Sequence, residues 1–413
     1  MKIFINKLSP LIDQFVVSMS NFVITILLAR LLNLTDFGLY SIVWLIVISI
    51  ASLVQALIFS PMLSFSPKMS ISRLRIFSNV TYSQLLVLLA ILLFLLSLIS
   101  FISYFFDLHT MFQVALGVLF VSIPYYLFEY FRRELMIQGR CIALLCTDCL
   151  TYLTILCCLY LFEVKSLYYA VMTISICFSG VVVVFMLTSN SRIVAFWLNT
   201  PEYRALIIKQ YYFSKWLVAS SGLQFLNGNV FTLFAGAFVS MAQVGYLRMA
   251  QNIVGIINPI YVFLDNHAQL YLARIKSEKG NEACEKAYLK VATLCMMGLS
   301  FILVILFTFK TEIITFVYGK QSAEVNEYMV LMIFLSFITG ANFLERLISK
   351  VRENTHIIFK SYVHSSILSC ISVYPLILYS EGRGAVLAMI FAQLIMLISI
   401  LSSKTQKAVN SVK

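Results

Sequence analysis

The residues of this chain that could act on a ligand are amides, hydroxyls and a few charges set into long apolar runs. In the first run Gln14, Ser18, Asn21 and Thr25 follow one another at spacings of 4, 3 and 4, which places them on one helical face. Asp13 lies beside this stripe, and Arg30 closes its far end. A later run repeats the pattern with Ser220, Gln224 and Asn227, while Lys215 sits off that face. The next carries Arg248, Asn252, Gly255, Pro259, Val262, Asn266 and Gln269 at helical spacing, flanked by Asn258 and Asp265. A charge inside a membrane helix costs roughly 2.5–3.5 kcal/mol on insertion scales, so these groups need a wet cavity or a partner. One reading makes the stripes the lining of a hydrophilic cavity between two halves of the chain. The other makes them interhelical hydrogen bonds that hold the bundle together.

Two further places carry charge. The fourth apolar run ends Glu129-Tyr-Phe-Arg132-Arg133-Glu134, followed by Gln138-Gly139-Arg140, and Asp148 lies in the next run. Arg133 suits a phosphate, because a guanidinium binds phosphate oxygens bidentately; the alternative is a membrane-surface anchor. Asp148 with one of these arginines would form a buried pair, and Asp13 and Lys215 are a second candidate pair. Bond-making chemistry finds little support. Cys146 and Cys149 have C-x-x-C spacing, with no second pair and no adjacent histidine to complete a zinc site. His109, His267, His356 and His364 form no cluster with an acid. The nine cysteines read as small apolar residues, without a disulfide framework. The expectation is therefore no catalytic residue, no metal and no cofactor.

The elements that must position these groups are membrane helices. Of 413 residues, 61% are hydrophobic and 12% charged, against about 25% charged in soluble proteins. Runs such as Leu85 to Ser103 and Val291 to Phe309 are long enough to cross a bilayer. Hydropathy and breaks predict twelve spans: 9–30, 38–60, 79–103, 111–131, 142–162, 167–188, 213–235, 243–266, 291–309, 328–345, 361–379 and 384–403. The first is read as a retained helix and not a removed signal. Alternating the intervening loops puts twenty-three of the 30 Lys and Arg residues on the side of the termini and five on the other. That asymmetry predicts cytoplasmic termini and accounts for the formal net charge of +12 without a nucleic-acid partner.

The loop 189–212 divides the chain into two sets of six helices, with lobes at 1–207 and 208–413. A weak internal echo supports a repeat: Gly38-Leu-Tyr40 after the first span and Gly245-Tyr-Leu247 after the seventh are offset by half the chain. Six helices per lobe give both lobes one orientation, related by an axis along the membrane normal. The expected fold is all-α and polytopic, with about twelve transmembrane helices in two six-helix lobes around a central cavity. Pro124, Pro259 and Pro375 fall within spans and can kink them.

At Leu27-Leu-Ala-Arg-Leu-Leu32, at Asp36-Phe-Gly-Leu-Tyr40, and from Arg132-Arg133 through Gly139-Arg140 to Asp148, the chain resembles the O-antigen flippases of the multidrug, oligosaccharidyl-lipid and polysaccharide exporter superfamily. The resemblance implies alternating access in a bacterial inner membrane. The implied substrate is an undecaprenyl-pyrophosphate-linked O-antigen unit, the implied process lipopolysaccharide biosynthesis, and the implied partners membrane lipids and other polysaccharide-assembly proteins. Cavity cations would attract the pyrophosphate. The chain departs from the related peptidoglycan-precursor flippases in lacking their dense set of central charges. Two rivals stand beside this reading. A drug or cation exporter of the same superfamily would want acidic residues deep in the cavity. A membrane enzyme of polysaccharide assembly, such as a polymerase, would want a large outer loop, and none is present.

Overall fold

The computed structural model describes residues 2–66, 69–162, 164–188, 201–319, 323–352 and 354–412. Among them every regular element is helical, and no strand occurs. The protein is an all-α polytopic membrane protein. Among the described residues eight helical segments are long and apolar enough to cross a bilayer. One of these, His356–Ser403, is broken midway and makes two passes. Large apolar side chains are turned outward, among them Phe101, Leu187 and Phe316, the last two each 82% exposed. Water would not tolerate so much contiguous apolar surface, and hydrocarbon does.

The chain folds as two units, Met1–Gly222 and Leu223–Lys413. The first begins with α1 (Lys2–Leu31) and α2 (Leu34–Val54). A π-helical turn, Gln55–Phe59, joins α2 to the short α3 (Ser60–Phe65), so the second pass is one interrupted helix. Then come α4 (Ile71–Phe105), α5 (His109–Ile137), α6 (Cys141–Leu161) and α7 (Leu167–Thr188). At the unit's centre, α5 packs against α2, α4, α6 and α7. Its aromatic side chains explain this position: Tyr126, Phe128 and Tyr130 are almost fully buried, and the Tyr126 hydroxyl donates to the Val47 carbonyl at 2.7 Å. Gly117, also on α5, lies so close to Val43 that a Cβ there would press on the valine side chain. Pro124 is accommodated within this helix.

The helix α8 (Pro201–Gly228) runs from the first unit into the second, which continues with α9 (Val230–Phe238) and α10 (Met241–Val254). A 3-10 turn, Gly255–Ile257, leads into α11 (Asn258–Thr308), with Pro259 in its first turn, where a missing N–H costs nothing. Within α11 the chain reverses at Gly280, whose φ of 81° and ψ of −177° suit glycine alone. Leu272 and Cys284, on either side of that glycine, share a buried cluster with Leu344, Leu347 and Ile348 of α13 (Ala323–Val351). The short α12 (Lys310–Tyr318) precedes α13, and α14 (Thr355–Val412) follows it. α14 reverses at Ser380 and Glu381. In that turn Gly384 sits where a Cβ would strike the Leu376 carbonyl, and Gly382 where one would meet the Tyr328 hydroxyl. With α2–α3 and α8–α9 each as one pass, α10 and the first half of α11 together as the eighth, and the second half of α11, α13 and the two halves of α14 as the last four, the described helices give the twelve passes expected.

The internal echo is carried into the helix starts. Asn33 caps α2 by accepting from the Asp36 backbone N–H at 2.8 Å, and Ser240 caps α10 by accepting from that of Gln243 at 3.2 Å. Each cap precedes its glycine, Gly38 or Gly245, by the same interval, and both glycines are buried. An N-cap side chain that satisfies an orphan N–H is a local choice worth about 1 kcal/mol. Its recurrence at the same offset in both halves marks the same structural corner twice.

Candidate functional site

Three helices of the first unit bring five charged side chains together. Arg132, on α5, lies at the centre and is 5% exposed. Its Nε donates to both oxygens of Asp148 on α6, at 3.0 and 2.8 Å. One terminal nitrogen donates to Glu129 at 2.6 Å, and the other reaches Asp148 at 2.6 Å and Asp13 of α1 at 3.2 Å. Every edge of the guanidinium faces a carboxylate, which only its planar fork of five donors permits. Arg133, one position on, donates to Glu129 at 3.1 Å and to the Gln55 side chain at 3.4 Å, with its guanidinium carbon 5.9 Å from the Phe59 ring centre. The π-turn of the second pass presents both Gln55 and Phe59. Within this cluster two buried atoms have no hydrogen-bond partner: Oδ1 of Asp13 and Nε of Arg133.

The electrostatics follow from this inventory. Two guanidinium groups face three carboxylates, so the formally ionised cluster has one acid in excess. Each ion has lost its hydration, and the attraction within the group offsets that cost only while every partner is present. The expected buried pair is therefore formed by Arg132 and Asp148. Asp13 is drawn to Arg132, while Lys215, on α8 and exposed, holds its ammonium 5.1 Å from the Tyr212 ring centre. The sequence offers Arg132 only as one of the arginines that could pair with Asp148, and neither it nor Glu129 is among the cavity candidates. The signal was a stripe at spacings of 3 and 4, Tyr125, Phe128, Glu129 and Arg132, which marks the inward face of α5. Arg133 is turned about 100° away from it.

The other polar stripes are placed as follows. The Gln14 side chain lies outside the described residues, as do those of Ser220, Asp265, Asn266 and Gln269. Asn21 is half-buried, and its carbonyl accepts from Thr25 at 2.8 Å. Arg30 is exposed at the end of α1. In the second unit Gln224 is exposed and Asn227 is buried. The Asn227 Oδ1 accepts from Ser365 at 2.6 Å, and Ser365 also donates to the Ala392 carbonyl at 2.7 Å. A parallel contact joins Asn342 to the Gln393 carbonyl and side chain at 2.7 and 2.9 Å. These are neutral amide clusters inside helix packing, although the Asn342 Oδ1 is buried without a hydrogen-bond partner. Asn252 donates to the Tyr318 hydroxyl at 3.4 Å, and Tyr318 donates to the Met249 carbonyl at 3.0 Å. Arg248 is half-buried on the same helix, α10. The structure thus joins Asp13, Asp148 and Arg133 in one cluster, and places Asn227, Asn252 and Gln224 at separate points of the second unit. Among the described residues no group of three or more His, Cys, Asp or Glu is arranged to hold a metal ion, and the three acids of the hub surround a guanidinium instead.

The fold that carries this hub is similar to that of solved membrane transporters and flippases. The solved structures it resembles include a lipid II flippase MurJ in an inward closed conformation, with TM-score 0.71, 14% identity, 95% of this chain and 87% of that one. They also include an inward-facing multidrug-resistance MATE transporter, with TM-score 0.67, 12% identity and 95% of both chains. A superfamily transporter from Pyrococcus furiosus superposes with TM-score 0.58 at 10% identity, over 97% of this chain and 94% of that one. No curated protein matches in sequence. The family model described as polysaccharide biosynthesis protein matches residues 27–327, most of the chain, and this protein belongs to that family.

Proposed function

We propose that this protein is a flippase that carries an undecaprenyl-pyrophosphate-linked O-antigen unit across a bacterial inner membrane, with both termini in the cytoplasm. The observation that carries the reading is a polysaccharide biosynthesis sequence on an exporter and flippase fold. The physical need is plain. A hydroxyl taken from water into hydrocarbon without a partner costs about 4–8 kcal/mol, so several sugars and a pyrophosphate meet a barrier on the order of tens of kcal/mol. Polar helix faces that replace water's hydrogen bonds lower that barrier while the polyprenyl chain stays in lipid. Alternate exposure of the polar faces of the first, seventh and eighth passes to the two sides of the bilayer is the transport step. The lobes that support it are taken as 1–207 and 208–413.

Within the first unit the division of labour is specific. Arg132 is committed to three carboxylates and supports the structure. Arg133, with Nε unpartnered, is the cation offered to phosphate oxygens. The same geometry speaks against a drug or cation exporter, since Asp13, Glu129 and Asp148 are all turned to guanidinium groups. The deciding experiment is a deletion strain assayed for surface polysaccharide and for the lipid-linked unit. Loss of the polymer with build-up of the unit is expected, and normal surface polysaccharide would refute the proposal. Arg133→Gln and Arg248→Gln, assayed separately, test the two cations; full activity in both removes them from the substrate path.

A further inference from the structure

A groove of about 470 Å³ runs between the two halves of α14, at the end remote from the reversal at Ser380 and Glu381, which the Lys and Arg asymmetry predicts to face the cytoplasm. One wall is the face 360, 364, 367 and 368 of the first half; the other is the face 395, 398, 399 and 402 of the second. The two ends of the groove differ in chemistry. Toward the surface stand Lys360 and Ser402; about 10 Å deeper, at 1.5 Å per residue, stand Ile367, Leu368, Ile395 and Ile398. Between them His364 holds Ser399, its Nδ1 lying 2.9 Å from the serine hydroxyl. With Nδ1 engaged, the other ring nitrogen is the edge left for a ligand. Lys360 is exposed and has no carboxylate partner among the described residues. Ile367 and Ile398 are 55% and 62% exposed.

We propose that this groove binds an anionic phospholipid of the surrounding bilayer. Lys360 and the free edge of His364 hold the phosphodiester, and the isoleucine-lined floor takes the first carbons of an acyl chain. The charge complement selects the occupant. One formal cation matches a singly charged phosphodiester, whereas a pyrophosphate would leave charge unbalanced. The deep apolar end suits an acyl chain running alongside the helices, so a phospholipid fills both ends of the groove at once whereas a soluble anion would use only the basic end. A basic residue near an anionic membrane surface contributes on the order of 1 kcal/mol, which fits a site that selects lipids from a bilayer already rich in them.

The test uses the full chain in detergent, delipidated and titrated with phosphatidylglycerol or with phosphatidylcholine of the same acyl chains. Bound lipids are counted by native mass spectrometry. The wild type is expected to retain one phosphatidylglycerol that phosphatidylcholine does not replace. Lys360→Gln is expected to weaken that one adduct about fivefold, or about 1 kcal/mol, while leaving phosphatidylcholine binding unchanged. Because Lys360 is exposed, the variant folds; its elution profile and melting temperature check this, and His364→Gln, which keeps a bond to Ser399, serves as a second variant. Equal retention of the two lipids, or unchanged selectivity in both variants, overturns the proposal. Displacement by inorganic phosphate assigns the site to a soluble anion, and displacement by farnesyl diphosphate below the phosphatidylglycerol concentration assigns it to a polyprenyl diphosphate; either also overturns it.

Discussion

Removing Arg132 is the sharpest test of the ionic hub, because its effect can be ranked against two neighbours. Arg132→Met leaves Asp13, Glu129 and Asp148 facing only Arg133, all of them buried or nearly so. Taking one partner from a buried charge group costs roughly 3–5 kcal/mol, a large share of the 5–15 kcal/mol that holds a typical domain folded. Asp13→Asn acts in the opposite sense: it removes one of three acids facing two guanidinium groups and disturbs a single contact at 3.2 Å, so about 1 kcal/mol is expected. Arg132→Lys keeps the charge and loses the fork. One ammonium cannot meet Asp148 through Nε while also reaching Glu129 and Asp13, so this variant should fall between the other two. Thermal unfolding of the detergent-purified protein, followed by tryptophan emission or by loss of the monodisperse peak, gives the order. The expected ranking of melting temperatures is wild type, Asp13→Asn, Arg132→Lys, Arg132→Met. A lysine variant indistinguishable from wild type would show that charge alone, without the fan of donors, is what the cluster needs. An asparagine variant as damaged as the methionine one would refute the charge count.

Three other outcomes follow from the helix reversals and the outer contacts. Gly280→Ala should destabilise by about 1–3 kcal/mol, since its backbone lies in a region that only glycine occupies without strain; a melting temperature equal to wild type would contradict the geometry. Gly384→Ala should harm expression of folded protein more than Gly382→Ala, because the first would strike the Leu376 backbone carbonyl while the second meets a Tyr328 hydroxyl that can move; the ratio of monodisperse protein measures this. Tyr318→Phe should remove the acceptor of Asn252 and the donor to Met249 together, at about 1–2 kcal/mol, and a double variant with Asn252→Ala should cost less than the sum of the singles.

Much of the architecture is legible in the sequence because the bilayer imposes it: an apolar run of fixed minimum length has one option, a helix across hydrocarbon. The spans 361–379 and 384–403 bracket the reversal at Ser380 and Glu381, and 243–266 and 291–309 bracket the one at Gly280. Helix ends are less legible. α4 starts at Ile71, well before the apolar run, because a helix continues into water where hydropathy no longer reports it. The hub shows the other limit. Neighbouring arginines differ by about 100° in direction, so Arg132 and Arg133 part company only when the buried face of α5 is known. In the second unit Asn227 was visible as a polar residue, but its partner Ser365 sits in a serine-rich stretch that reads as ordinary membrane helix, where hydroxyls bond to their own backbone.

The hub also sets a problem of timing during biogenesis. Asp13 and Arg132 are 119 positions apart, and at about 5–20 residues per second the ribosome needs roughly 6–24 s to supply the second after the first. Throughout that interval α1 presents an acid that hydrocarbon penalises. The Asp13 carboxylate gains its guanidinium partner only when α5 emerges, and the hub is complete only with Asp148 on α6. Full charge pairing is thereby tied to the arrival of α6 downstream, so α1 is made before α4, α5 and α6 yet has its ionic cluster completed only with the last of these.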